Sequence, residues 1–342
     1  MKDSYIYSLL FVCMFLVSCI NRQAENSDIE PVHLTPDAVI SEYGDSLIIP
    51  SNVVCMNATE KGVFFTDYYS GLFVMDNNMD IHNKIGKYGK GPGELLGAAF
   101  FYTDNSDSVY IVNEGRQAFG LFVNGAYSKN IAFCESARFT IRSRFFVREQ
   151  TVYHSVGRAG APVIAYRGDS TGFRPVCDYT PYDDMEFQIR SGRHVVKGSD
   201  SFFVIGISLP ILQEYTFDGK LCAEYDLLSI PETAKSMKAH EDEPKQPNSY
   251  NVTIRDAYYC DNSLYMLVAT KANDEYFCNT ICRLNTKDGN MKHEATYILQ
   301  GDVFGTFCVR GNKIYAYDDM ESSIHVYTMK ETKSAEAILR AV

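Results

Sequence analysis

Three short segments hold the residues best placed to do chemistry. Each has an aromatic or aliphatic residue, a polar residue and then Ile-Arg, ending at Arg142, Arg190 and Arg255. They lie about nine to twelve residues ahead of β-type runs, so in a repeated architecture they occupy equivalent positions. An arc of guanidinium groups in a chain of net charge −11 is a clamp for a carboxylate, sulfate or phosphate. The competing expectation is that these arginines pair with carboxylates of their own sheets, such as Asp256, or face solvent.

Other chemistries find less support. The histidines at 33, 82, 154, 194, 240, 293 and 325 show no HxH or HExxH spacing, although His154 and His194 are close enough in the repeat to meet. Glu94, Asp104, Asn113 and Asp261 are the oxygen ligands a calcium site would draw on, but their spacing follows no pattern. Calcium is therefore the one cofactor left open, and no metal ligand is assigned. GISLP at 206–210 is not a nucleophile elbow. The acidic balance argues against nucleic acid, which requires a basic footprint. Eight cysteines outside the leader, at 55, 134, 177, 222, 260, 278, 282 and 308, are scattered singly as small hydrophobes, with room for one cross-strand disulfide.

The glycine-rich stretch IGKYGKGPGEL, residues 85–95, joins two strand-like segments. Gly86, Gly89, Gly91 and Gly93 permit positive φ, and Pro92 holds Gly91 extended. It lacks the Gly-Lys-Ser/Thr ending and following helix of a phosphate loop, so it reads as a structural loop closed by Glu94.

The elements that must position these residues are strands. Short β-type runs recur at 63–66, 109–112, 152–154, 202–205, 264–267 and 314–317, roughly 43 to 62 residues apart, the spacing of propeller blades. Each is followed by a second aromatic-rich run, and Asn77-Asn78, Asn124-Gly125, Asp218-Gly219 and Asp288-Gly289 then mark hairpins. The expectation is an all-β, six-bladed propeller of four-stranded antiparallel blades over residues 29–342. The first blade starts near residues 52–56, and the last is completed by a strand from residues 29–40 or by the tail at 331–342. The charged, proline-bounded insertion at 231–249 reads as a solvated flap with one helical turn over 232–240.

Ahead of this domain, an apolar run at 6–17 has the length of a signal-peptide core. Its LVSC ending resembles the bacterial lipoprotein cleavage box. That resemblance implies a signal peptide over 1–18, lipid on Cys19 and a tether over 19–28. The position after Cys19 is Ile20, which implies an outer-membrane lipoprotein, facing either the periplasm or the surface.

Residues 85–131 resemble a repeat of the six-bladed β-propeller lipoproteins abundant in Bacteroidetes, which are related to NHL-repeat propellers. The match lies in Gly86, Gly89, Gly91, Pro92, Gly93 and Glu94, in VYIV at 109–112, and in Asn124-Gly125. It implies fold and envelope location but no catalytic residue. The sequence thus points to a lipid-anchored, monomeric binding or scaffold module, contacting the membrane through its lipid and a small molecule or protein through one face. The runner-up is a propeller enzyme, a metal-dependent lactonase-like hydrolase or a lyase.

Overall fold

The computed structural model describes residues 29–43, 47–48, 52–104, 107–133, 143–156, 163–167, 172, 174–176, 190–241, 250–272, 275–287 and 291–330. Over these residues the chain is a ring of six antiparallel blades. Blade one runs Val53–Thr59, Gly62–Asp67, Gly71–Met75 and Ile81–Ile85 from the axis outward. Blade two is Ala98–Thr103, Ser108–Asn113, Ala118–Val123 and Ala126–Ala132. Blade three is Phe146–Arg148, Thr151–Ser155, Val163–Arg167 and Arg174–Pro175. Blade four is Arg193–Lys197, Ser201–Gly206, Ile211–Thr216 and Leu221–Asp226.

Blades five and six are completed from the N-terminal side. Blade five contains Ile254–Cys260, Ser263–Ala272, Glu275–Asn285 and Lys292–Leu299, and Val32–Leu34 adds a fifth, parallel strand at its rim. Blade six contains Phe304–Arg310, Lys313–Asp318 and Ser323–Thr328, and its outer strand is Ala38–Ile40, antiparallel to Ser323–Thr328. The closure expected of residues 29–40 is therefore observed, and the extra parallel strand on blade five is a feature the repeat did not announce. The tail at 331–342 lies outside the described residues.

The middle strands are apolar without alternation because both faces are covered. In Gly62–Asp67 every residue is buried, pressed between neighbouring blades. Four apolar clusters run between adjacent blades, and rings such as Phe146–Tyr153 and Phe65–Phe73 stack at 4.5 and 5.2 Å. Outer strands such as Ala126–Ala132 are largely exposed and polar, which blunts the sheet edge. Asn124-Gly125 forms the left-handed turn its sequence predicts, and Glu149-Gln150 forms another without Asn or Gly to signal it.

The insertion is more ordered than its composition implies. Helix α1, Pro231–Glu241, makes three turns rather than one and lies on the second strand of blade five. Thr233 and Ser236 are fully buried, and the Ser236 hydroxyl donates to the Ala269 carbonyl. Two hydroxyls with backbone acceptors allow a polar helix to bury one side. Residues 242–249 lie outside the described residues.

Candidate functional site

The inner strands of blades one, five and six each carry a β-bulge at their second residue, between Val53 and Cys55, Ile254 and Asp256, and Phe304 and Thr306. A bulge inserts one unpaired residue and re-aims those after it. Arg255 is the unpaired residue in blade five, so Asp256 rather than Arg255 faces the network at the centre of the ring. The Arg255 guanidinium instead reaches Asp319 at 3.6 Å, in a partly exposed pair. Gly305, the matching bulge residue of blade six, makes room for it, since a Cβ there would sit 2.4 Å from Asp319 Oδ1.

Asp256 is fully buried and meets Arg144, which directly precedes blade three. Arg144 Nε and Nη2 donate to the two carboxylate oxygens at 2.7 and 2.6 Å, a bidentate fork. Nη1 donates to the Met56 carbonyl at 2.7 Å and Nη2 to the Phe307 carbonyl at 2.9 Å. Asp256 also accepts from the Thr306 hydroxyl at 2.7 Å and from the backbone N–H groups of Ala257 and Phe307. One ion pair thus ties blades one, three, five and six together across the centre. The rings of Tyr258 and Phe100 flank the guanidinium at 5.6 and 6.0 Å.

Burial pushes the Asp256 carboxyl up, but the guanidinium and its hydrogen bonds more than reverse this and hold it below the ordinary range. Arg144 is held charged in return, burial notwithstanding. His194 accepts the Arg144 backbone N–H at Nδ1, 3.2 Å away, and donates from Nε2 to the Ile254 carbonyl at 3.3 Å. Burial pushes its imidazole down to about 4, so it stays neutral beside the pair. His154, also pushed down to about 4 by burial, packs among the rings of Phe119 and Tyr166. The two histidines thus serve separate surroundings.

Beyond the plug, where the inner strands end, a cavity of 280 Å³ opens between blades one to five. Arg144 closes its inner end. Asn57, Tyr102, Asp104, Lys197 and Tyr258 supply its polar lining. Lys197 Nζ donates to the Tyr102 hydroxyl at 3.4 Å, and the Tyr258 hydroxyl donates to Asn57 Oδ1 at 2.9 Å. At the opposite end, where the strands enter, a second cavity of 290 Å³ between blades five and six is lined by His240, Tyr250, Arg255, Tyr276 and Cys278 among others.

Of the arginines singled out from sequence, Arg255 therefore lines the entry cavity while paired to Asp319. Arg190 lies just ahead of the inner strand of blade four, half-buried and engaged with other groups, and does not line that cavity. Arg142 lies outside the described residues. Sequence reasoning missed Arg144, two residues further on and just ahead of the inner strand Phe146–Arg148, which no local signal marked.

The glycine-rich stretch folds onto itself. Glu94 accepts the Gly91 N–H at 2.6 Å and pairs with Lys87 at 2.9 Å, and Asn113 bridges the Leu96 N–H and the Glu94 carbonyl. Gly89, at φ 156°, passes so near that a Cβ would lie 2.1 Å from Glu94 Oε2. An internal carboxylate occupies the backbone donor that a phosphate would need. The calcium candidates are dispersed: Glu94 and Asn113 brace this loop, Asp104 rims the exit cavity, and Asp261 sits in a left-handed turn of blade five. The described cysteines 55, 222, 260, 278, 282 and 308 are free thiols. Cys134 and Cys177 lie outside the described residues. No helix among the described residues is long and apolar enough to cross a membrane.

Comparison with known proteins places the architecture. No protein-family model matches the chain, and no curated protein matches it. Solved structures do. A Bacteroides fragilis protein named as exported superposes with a TM-score of 0.57 at 12% identity, over 91% of this chain and 99% of its own. A member of the DUF4221 family from Bacteroides vulgatus gives 0.53 at 8% identity, over 91% and 99%. A streptogramin B lyase gives 0.50 at 13% identity, over 85% and 87%. The chain shares their fold. At these identities the likeness extends to architecture and no further.

Proposed function

We propose that this chain is a binding or scaffold module of the bacterial envelope, a lipid-anchored propeller of the NHL-like kind whose exit cavity receives a small carboxylate-bearing or otherwise polar ligand. The observation that carries this reading is how the charges divide along the axis. Arg144 and Asp256 spend their charges on one another and on backbone groups, and His154 and His194 are held neutral. The cavity beyond them has along its wall an amine at Lys197 bonded to the Tyr102 phenol, and a carboxylate at Asp104. Such a set orients and holds a polar molecule in a recess of mixed polar and apolar lining. The Cys19 box and the polar tether after it support anchorage at the outer membrane, and the exported protein of Bacteroides fragilis with the same fold is consistent with an envelope location.

The test is a thermal-shift screen of small dicarboxylates, phosphate and sulfate against the wild type, Lys197→Met and Arg255→Ala. A ligand at one hundred times its Kd stabilises by about 2.7 kcal/mol. Stabilisation lost in Lys197→Met and kept in Arg255→Ala supports the exit cavity. The reverse moves the site to the entry cavity and to Arg255, the member of the expected clamp of Arg142, Arg190 and Arg255 that lines it. The alternative, a lactonase-like hydrolase or a lyase, gains from substrate turnover that Asp104→Asn abolishes. Fatty-acid labelling that survives Cys19→Ser would refute the anchor.

A further inference from the structure

Between blades four and five, away from both cavities, three residues with different donor atoms converge. Cys282 lies on the third strand of blade five, His293 on its fourth, and Glu232 in the first turn of helix α1. One ligand atom from each lies within 4.8 Å of the other two. We infer that Glu232, Cys282 and His293 form a binding site for a zinc-class divalent cation, which clasps helix α1 to blade five.

Local structure is arranged for this convergence. A bulge between Arg283 and Leu284 sets Leu284 opposite His293 and Cys282 opposite Thr296. Glu294 is the extra residue, and it turns to the other face, where it takes Arg283 and Asn285. His293 and Thr296 thereby share a face with Cys282, which plain alternation forbids. Thr296 Oγ1 lies 3.1 Å from His293 Nε2 and holds the ring. Glu232 arrives because α1 is docked through Thr233 and Ser236, both fully buried.

The donor set fits the cation. Thiolate, imidazole and carboxylate together are the ligands of zinc-class ions, with bonds that place ligand atoms about 3.3 to 3.7 Å apart. Cys282 Sγ and Glu232 Oε2 already stand 3.9 Å apart, so a shift of a few tenths of an ångström suffices there. Charge also balances: a neutral imidazole, a thiolate and a carboxylate around a doubly charged ion sum to zero, as a site with Cys282 and His293 buried requires. On binding, the Cys282 S–H bond breaks, an S–metal bond forms and the proton leaves to solvent. The other convergent trio, Asp318, Glu321 and His325, is committed to local structure. Asp318 accepts the N–H groups of Met320 and Glu321, and His325 engages Ser323 and Tyr327.

The experiment is titration of the full chain, purified under reducing conditions, with Zn²⁺ or Co²⁺ alone. The wild type is expected to take up one equivalent, to show thiolate-to-cobalt charge transfer, and to gain thermal stability. Cys282→Ala loses the charge-transfer band and the equivalent. Glu232→Gln, at a partly exposed helix position where folding is safe, weakens binding roughly 10-fold or more. Glu321→Ala leaves binding unchanged. No stoichiometric uptake by the wild type, uptake without thiolate charge transfer, or loss of binding in Glu321→Ala would each overturn the assignment.

Discussion

Replacing Arg144 by methionine tests whether the central ion pair organises the ring. The substitution keeps the apolar stem but removes two charge-assisted bonds to Asp256, at 2.7 and 2.6 Å, and the donors to the Met56 and Phe307 carbonyls. Asp256 is then a fully buried carboxylate without its countercharge, a loss of about 3 to 5 kcal/mol. The double variant Arg144→Met with Asp256→Leu removes both charges; it leaves the Met56 and Phe307 carbonyls short of donors, and the Thr306 hydroxyl and the Ala257 and Phe307 N–H groups short of an acceptor, about 1 to 2 kcal/mol each. Its loss should fall short of the sum of the two single losses, with a coupling energy of about 2 kcal/mol or more. Urea denaturation followed by tyrosine fluorescence reads this directly, since the chain has 24 tyrosines and no tryptophan. In Arg144→Met, burial acts on Asp256 without the guanidinium that outweighed it and raises its carboxyl relative to wild type, so the deficit against wild type should narrow from pH 7 toward pH 5. A deficit below about 1 kcal/mol at pH 7, or a double variant that simply adds the two single losses, would refute the reasoning.

The buried histidines set an acid limit. His154 and His194 are held at about 4 against an ordinary 6.5, so the unfolded chain binds their protons first; the stability they confer is whole above pH 6.5 and falls between 6.5 and 4 by ~3 kcal/mol for each. The depressed carboxyl of Asp256 adds a further loss only below its ordinary 3.8. His194→Gln should remove ~3 kcal/mol of the loss between pH 6.5 and 4 in the same denaturation assay. Glu94→Ala should open the glycine-rich loop and speed tryptic cleavage at Lys87 and Lys90, with the products located by mass spectrometry. Leu34→Ala, in the parallel strand on blade five, should cost about 3 kcal/mol in urea denaturation, whereas an exposed outer strand would lose almost nothing.

The sequence carried the ring and its closure because both rest on strand periodicity and turn chemistry. The second-strand runs, Asn124-Gly125 and the completing strand near residue 40 all follow from local residue types. The centre was harder to read because its geometry depends on bulges. Equivalence in the repeat placed Arg255 at the axis, and one extra residue gave that position to Asp256. Arg144 was passed over in favour of Arg142 because no local signal reports where a strand starts relative to its partners in other blades. Helix α1 was underestimated because its apolar content is low; Thr233 and Ser236 bury themselves through hydroxyl bonds to the backbone, which hydrophobic pattern does not register.

Blade six takes its outer strand from Ala38–Ile40 and its other three from Phe304 onward, and this fixes the order in which the ring can be made. A chain emerging N-terminus first presents its clasp strands before either of their partners exists. The intervening blades can form in turn, but until Ser323–Thr328 arrives the assembly is an open arc with unsatisfied sheet edges at both ends. Closure is then one long-range event whose loop entropy is met only at the end of synthesis. The arc is the state most exposed to edge-to-edge association and to proteolysis, so holding Ala38–Ile40 unpaired, rather than forming any single blade, is the step at which assistance during biogenesis would matter most.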